Sequence, residues 1–189
     1  MEEVDKRGEV SVEEAIARRR SRRAFKRIKL TKKQLSQLLW SAGRAPSAGA
    51  TYPLELYVVI GKGCVEEIDA GVYRHSKGGY LTLEMEGDLR EALAVTCLRQ
   101  MFIADAPVSV VIAAEYERTT GAYGDRGVRY VLIEVGHAAQ NIYLQCEALG
   151  LATVAIGAFY DEEVAEALKI PKKHRPLYVM PVGVSAERI

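Results

Sequence analysis

The segment from Arg126 to Leu149 constrains this fold more than any other. "RGVRYVLIEVGHAAQNIYLQCEAL" has no proline, is apolar around most of its circumference and is closed by Gly150. It therefore predicts one helix about 36 Å long, at about 1.5 Å per residue. A helix with so broad an apolar surface has to be central and buried, with the remaining elements layered around it. The chain of 189 residues has room for one core of that kind, which predicts a single domain over residues 1–189.

The flanking segments punctuate clearly. Ser11 to Arg20 reads as a short helix opened by a capping box, in which Ser11 and Glu14 satisfy orphaned backbone donors. "TKKQLSQLLWSAG" repeats the device with Thr31 and Gln34, carries Leu35, Leu38 and Leu39 as an apolar stripe, and stops at Gly43. "APSAGATYP" supplies loop chemistry through Pro46, Gly49 and Pro53, and "LELYVVIG" follows as a strand. Residues 64 to 86 read as a hairpin-like excursion turning at Gly78 and Gly79. "GDLREALAVTCLRQMFIAD" predicts one helix and "APVSVVIAAEY" a buried strand introduced by Pro107. "LATVAIG" and "LYVMPVGV" predict two more strands, separated by the helix "DEEVAEAL" with Asp161 as its N-cap. The order is that of an α+β layer protein.

Several functions find no support. The net charge of +1, from 26 basic and 25 acidic side chains, argues against a surface built to attract nucleic acid. Cys64, Cys97 and Cys146 form no C-x-x-C pair, which fits neither a disulfide framework nor a zinc knuckle. "MEEVDKRGEV" lacks the apolar region of a signal peptide, and no run has the roughly 18 apolar residues of a membrane span. A cytoplasmic protein is expected. "GKGCVE" places Glu66 where a dinucleotide fingerprint needs its third glycine. Glu134 and His137 have Glu-x-x-His spacing, but one such motif does not make a di-iron site, and no metal is expected. With Asn141 and Gln145 they form a polar stripe, read as a hydrogen-bonded network in the core or at a subunit interface. His75 and His174 sit in polar, exposed-looking contexts, and no serine or cysteine has a nucleophile setting.

"RRRSRRAF", residues 18 to 25, concentrates charge that the neutral chain does not otherwise need. Alternate residues of an extended segment point one way, so Arg19, Ser21 and Arg23 can converge on one ligand while Arg20 and Arg22 face elsewhere. Arginine forks bind phosphate bidentately and a serine hydroxyl adds a hydrogen bond. A solvated basic face and a nucleic-acid patch compete with a phosphate cradle, although the patch lacks interleaved aromatics.

Four blocks in order, "RRRSRRAF", "LLWSAGRAPSAGATYPLELYVV", "GHAAQNIYLQCEALGLATVAIGAFYDEEVAEALKIP" and "PLYVMPVG", resemble the FMN-dependent nitroreductase family. "APSAGATYPLELYVV" and "GVYRHSKGGYL" are similar to its SagB-type branch, the dehydrogenase subunits of azoline-forming peptide synthetases. The resemblance implies a central mixed, mainly antiparallel sheet flanked by helices, with a long buried helix, in an intertwined homodimer holding FMN at its interface. It assigns Arg19, Ser21 and Arg23 to the FMN phosphate, ribityl chain and pyrimidine edge. It brings Pro46 and Ser47 to the flavin from the other subunit, and the main chains of Ile156 and Gly157 to the N5 side. Gln100 falls at a polar flavin position, and Arg188 is the arginine available to complete the phosphate site.

The implied activity is ping-pong hydride transfer from NADH or NADPH through flavin N5 to a small acceptor such as a nitro compound, quinone or flavin. No side chain needs to act as a general base. The alternative, SagB-like, is oxidation of azoline rings in peptides, for which Tyr123, Tyr130 or a lysine would serve as base. Outside enzymology, the chain would be a flavin- or nucleic-acid-binding module.

Overall fold

The computed structural model describes residues 1–76 and 78–187. Among these residues six strands form one sheet: β1 (Leu54–Ile60), β2 (Gly71–His75), β3 (Leu81–Glu86), β4 (Val108–Ala114), β5 (Ala152–Thr153) and β6 (Arg175–Gly183). Their order is β3-β2-β1-β4-β6-β5, and every ladder is antiparallel. Among the described residues the one parallel pairing is the isolated bridge Leu30–Val65.

Among the described residues seven α-helices pack around it: α1 (Val12–Arg18), α2 (Lys32–Ala42), α3 (Arg90–Thr96), α4 (Phe102–Asp105), α5 (Glu117–Tyr123), α6 (Arg126–Ala148) and α7 (Asp161–Ala167). Strand alternation divides the core into two halves. Leu56, Val58 and Ile60 meet Leu35, Leu38 and Leu39 of α2 and Val135 and Ile142 of α6. Tyr57 and Val59 face the other way, onto Leu93 of α3 and Val164 of α7. Both faces of β4 are therefore covered, which is why "VSVVIAA" is apolar throughout and buried throughout.

α2 carries the full capping box, Thr31 accepting from the Gln34 amide while Gln34 accepts from that of Thr31. At α1 only half of the expected box forms. Ser11 accepts from the Glu14 amide at 3.1 Å, whereas the Glu14 carboxylate turns forward to pair with Arg18, one turn along the exposed helix.

Four other expectations change. The single helix read over 87–105 breaks into α3 and α4, because Leu98 and Arg99 adopt φ of 55° and 57°. The break lets Leu93, Cys97 and Ile103 reach the same core half. The strand read over 151–157 pairs only at Ala152 and Thr153, with Ile156 returning to the sheet through a bridge to Val179. Asp161 is the first helical residue of α7 rather than its N-cap; Tyr160 occupies the cap with no side-chain bond, and the Asp161 charge favours the helix start. Lastly, α6 is buried along one side only: Val128, Leu132 and Ile133 are 43%, 50% and 48% exposed. The sheet, α2, α1 and α5 pack on the other side of α6, and among the described residues no element covers these three side chains.

The polar stripe of α6 divides likewise. Asn141 donates to the Ser41 carbonyl of α2 at 3.0 Å, Gln145 accepts from Gln37 of α2 at 3.5 Å, and Glu134 is buried, but His137 lies on the exposed side. No described helix is long and apolar enough to cross a membrane.

Candidate functional site

After α1 the chain runs extended over the end of the sheet, where the Arg22 amide donates to the Thr153 carbonyl at 3.1 Å and the Lys26 amide to that of Val184 at 2.8 Å. This anchoring sorts the arginines. Arg22 is buried and forms an ion pair with Glu147 of α6 at 2.5 Å. Arg18 pairs with Glu14. Among the described residues, Arg19, Arg20 and Arg23 have no acidic side-chain partner for their guanidinium groups. Arg19 lies over the Tyr143 ring, 5.1 Å from its centroid, while Arg23 is exposed, its amide donating to Glu187 at 3.0 Å. The cluster is thus one buried arginine that ties the segment to α6, one in an exposed ion pair with Glu14, and three without an acidic side-chain partner among the described residues.

Tyr143 gathers the site. Its hydroxyl lies 2.8 Å from Ser21 Oγ and accepts from the Ala155 amide at 2.8 Å. One side chain of α6 so brings the arginine segment against the 155–158 segment. Gln100 arrives there from α4's approach, donating to the Ala158 carbonyl at 3.1 Å and the Cys97 carbonyl at 2.9 Å. Ile156 is buried, and its amide and carbonyl are both used by Val179, at 2.9 and 3.0 Å. Gly157 is the exposed backbone of the pair. Arg19, Ser21, Arg23, Gln100, Ile156 and Gly157 therefore share one end of the molecule, while Arg188 lies outside the described residues.

Pro46 and Ser47 do not join them. Their loop packs against α5, where Thr51 Oγ1 lies 2.8 Å from Thr119 Oγ1 and Arg118 donates to the Tyr52 carbonyl at 3.0 Å. A Cβ on Gly49 would collide with the Tyr123 hydroxyl, and Tyr123 meets Tyr130 of α6 edge to face with centroids 5.1 Å apart. Tyr130 and Tyr143 are separated by about 20 Å of helix at 1.5 Å per residue. The predicted residues thus form two half-sites near opposite ends of α6.

Below the loop lies a charged cluster that sequence reading missed. Arg118 pairs with Glu55 at 2.6 Å and Glu115 at 2.5 Å, Arg74 with Glu55 at 3.0 Å, and Lys173 with Glu115 at 3.1 Å. Burial pushes the Glu55 carboxyl up, but hydrogen bonds from Arg118 and Arg74 outweigh it and hold the group below its ordinary value. His174, expected to be exposed, is buried here, with Nδ1 2.7 Å from the Tyr57 hydroxyl and Nε2 3.6 Å from Glu115. The polar "KKHRP" context misled because Pro171 turns the chain and tucks His174 under the sheet; the His174 amide donates to the Pro171 carbonyl at 2.8 Å. Glu55, Glu115 and His174 have the mutual spacing of metal ligands, but three cations already balance the two carboxylates, so the cluster is an ion-pair network.

Gly61, at the start of the rejected dinucleotide fingerprint, is covered by the Arg90 guanidinium, held in turn by Asp88 at 2.7 Å. Tyr143, Arg118 and Thr119 carry no motif. Tyr143 sits in an apolar-looking helix, and α5, "ERTTGAY", offers no apolar stripe to announce it.

The nitroreductase family pattern matches residues 16–184. A protein of Methanocaldococcus jannaschii, provisionally named a nitroreductase, is 46% identical over 189 residues, covering 95% of this chain and 93% of that one. A provisionally named nitroreductase from Anabaena variabilis superposes with a TM-score of 0.84 at 26% identity. It is covered over 38% of its length by 92% of this chain, so this chain spans well under half of that relative. The NADPH:FMN oxidoreductase of Vibrio harveyi, in a complex with NAD+, shares the fold with a TM-score of 0.71 at 21% identity, over 93% of this chain and 69% of its own.

Proposed function

This chain belongs to the nitroreductase family of oxidoreductases, and from that membership we propose that it is an FMN-dependent enzyme that uses NADH or NADPH to reduce small acceptors such as nitro compounds, quinones or flavins. The observation that supports this reading is the Tyr143 junction, which brings the Ser21 hydroxyl and the Arg19 guanidinium against the segment that begins at Ala155 and leads to the exposed Gly157.

These residues fit FMN. A dianionic phosphate calls for arginines not already neutralised, and Arg19 and Arg23 have no acidic side-chain partner among the described residues. Gln100 contributes a polar side chain at the rim, and the open backbone at Gly157 accepts close approach of a flat ring. Ile156 serves differently than the resemblance implies: with its amide and carbonyl spent on Val179, it fixes Gly157 in place. Bound there, FMN would supply two-electron chemistry, taking a hydride from NADH or NADPH and passing it to the acceptor. Arg19 and Arg23 would hold the group and offset negative charge developing on its reduction.

The same reading calls for a homodimer. The loop of Pro46 and Ser47 lies by the Tyr123–Tyr130 end of α6, and Tyr130 is about 20 Å of helix from Tyr143 at the arginine half-site, so one chain is not expected to bring both to the same ring. A two-fold pairing through the exposed Val128, Leu132 and Ile133 would set the loop of one protomer against the arginines of its partner.

A second reading, oxidation of azoline rings in peptides, draws on the β2–β3 hairpin. With Trp40, Arg44 and Tyr52 its tip, at His75 and Ser76, lines a cleft of about 860 Å³, roomy enough for a peptide segment. The reductase is preferred because it asks for no partner protein and no general base.

The deciding experiment is purification followed by visible spectroscopy. The expected product is yellow, is bleached by NADH or NADPH without oxygen, and regains colour on adding a quinone or nitroarene. Arg19→Ala with Arg23→Ala should lose FMN while remaining folded. A chain that stays colourless after incubation with FMN overturns the proposal, and bleaching by an azoline peptide but not by NADH or NADPH replaces it with the second reading.

A further inference from the structure

We propose that α5 is a clamp that holds the Pro46–Tyr52 loop in its flavin-facing conformation, with Arg118 and Thr119 as positioning residues; this rests on the function proposed above. The loop is strained. Gly49, Ala50 and Tyr52 have φ of 56°, 54° and 45°, and for the two non-glycine residues the left-handed region is intrinsically unfavourable. Such a backbone persists only where its surroundings overdetermine it.

α5 supplies that surrounding. Arg118 donates to the Tyr52 carbonyl, and the buried Thr119 hydroxyl meets Thr51, whose own hydroxyl also donates to the Ala48 carbonyl at 3.0 Å. Within the loop, Ser47 Oγ accepts from the Tyr52 amide at 2.8 Å. Tyr123 at the end of α5 lies over Gly49. The clamp is itself anchored to the sheet: Arg118 is gripped by Glu55 on β1 and by Glu115 just beyond β4. Two turns of helix thus tie a strained loop to two central strands, and α5 runs on through Gly124 and Asp125 into α6, the helix whose exposed face the proposed dimer would cover. Neither Arg118 nor Thr119 touches the arginine half-site of its own chain. Their effect is to set the backbone that Pro46 and Ser47 present across the two-fold.

The test uses the whole dimeric protein with FMN. Thr51→Val, Thr119→Val, the double variant and Thr119→Ser are compared for FMN dissociation constant by flavin fluorescence, for the visible circular dichroism of the bound flavin, and for melting of the FMN-free form. Thr119→Val is expected to weaken FMN binding about five- to tenfold, as loss of one hydrogen bond does; Thr51→Val, which also removes the bond to the Ala48 carbonyl, should weaken it at least as much, and both should alter the bound-flavin signal. The double variant should be no weaker than the poorer single one, because both changes remove one shared interaction. Thr119→Ser should restore the wild-type constant. Wild-type FMN binding in the valine variants overturns the clamp, as do additive losses in the double variant, or losses that merely track the melting of the FMN-free form. Wild-type protein that binds no FMN overturns the underlying function instead. An intact response to Arg19→Ala alongside indifferent threonine variants removes the clamp alone.

Discussion

The hydroxyls of Ser21 and Tyr143 lie 2.8 Å apart, and the Tyr143 oxygen also accepts from the Ala155 amide at 2.8 Å. Through this contact an exposed segment near the N-terminus acquires a fixed position relative to residues more than a hundred positions later. Tyr143→Phe keeps the ring under Arg19 but leaves that amide without its acceptor. We expect a loss of about 1–3 kcal/mol in urea unfolding and a several-fold faster loss of FMN on dialysis. Unchanged stability together with unchanged retention would show that the junction is dispensable.

Arg22 and Glu147 behave as structural residues. Their side chains are 8% and 10% exposed, so removing one partner strands a charge in the interior. Arg22→Met alone is expected to cost about 3–5 kcal/mol, and Arg22→Met with Glu147→Leu to recover most of it. Arg19→Ala, three residues before Arg22, should leave the denaturation midpoint near wild type. Equal costs at positions 19 and 22 would contradict the division of the cluster.

His174 makes stability depend on pH. Burial holds its pKa below 6.5, with Arg74 and Lys173 acting in the same direction and Glu55 and Glu115 opposing. The folded state therefore keeps the ring neutral, while the unfolded chain takes up a proton below pH about 6.5. The stabilising contribution is complete above the unfolded value and is lost as pH falls through the folded one. Melting temperature should hold between pH 8 and about 7 and decline as pH is lowered below about 6.5, more gently in His174→Gln; His75, also lowered by burial, supplies a remaining slope. Equal slopes in the two proteins would dismiss His174 as the source.

Gly49 is required at its position. Its φ is 56°, and an added Cβ would strike the Tyr123 hydroxyl. Gly49→Ala is expected to cost about 1–2 kcal/mol from backbone strain alone. Adding Tyr123→Ala should relieve the collision and leave that backbone cost, which thermal melts of the two variants can separate.

How much of this was legible in the sequence follows from the range of each interaction. The α2 capping box and the strand character of β1 are written within a few residues, and both form as read. The break at Leu98 and Arg99 was not legible, because local propensity there favours helix and only the demand of the core for both Leu93 and Ile103 turns the chain. α5 was invisible for the complementary reason: it is held by side-chain bonds to a distant loop rather than by an apolar stripe of its own.

At the site the same division holds. By itself the sequence determined α1, α2, α6 and α7, most strands, the family, and a segment rich in arginine. Only the tertiary structure decided that Arg22 is an internal ion pair, that Arg19 and Arg23 are left without acidic side-chain partners, that Ile156 spends its backbone on Val179, and that Pro46 and Ser47 lie at the far end of α6. The reason is physical: capping and periodicity act between neighbours in the chain, whereas the partner of a charge or a hydroxyl is set by which elements pack together, and Glu147 reaches Arg22 only once α6 lies across the sheet.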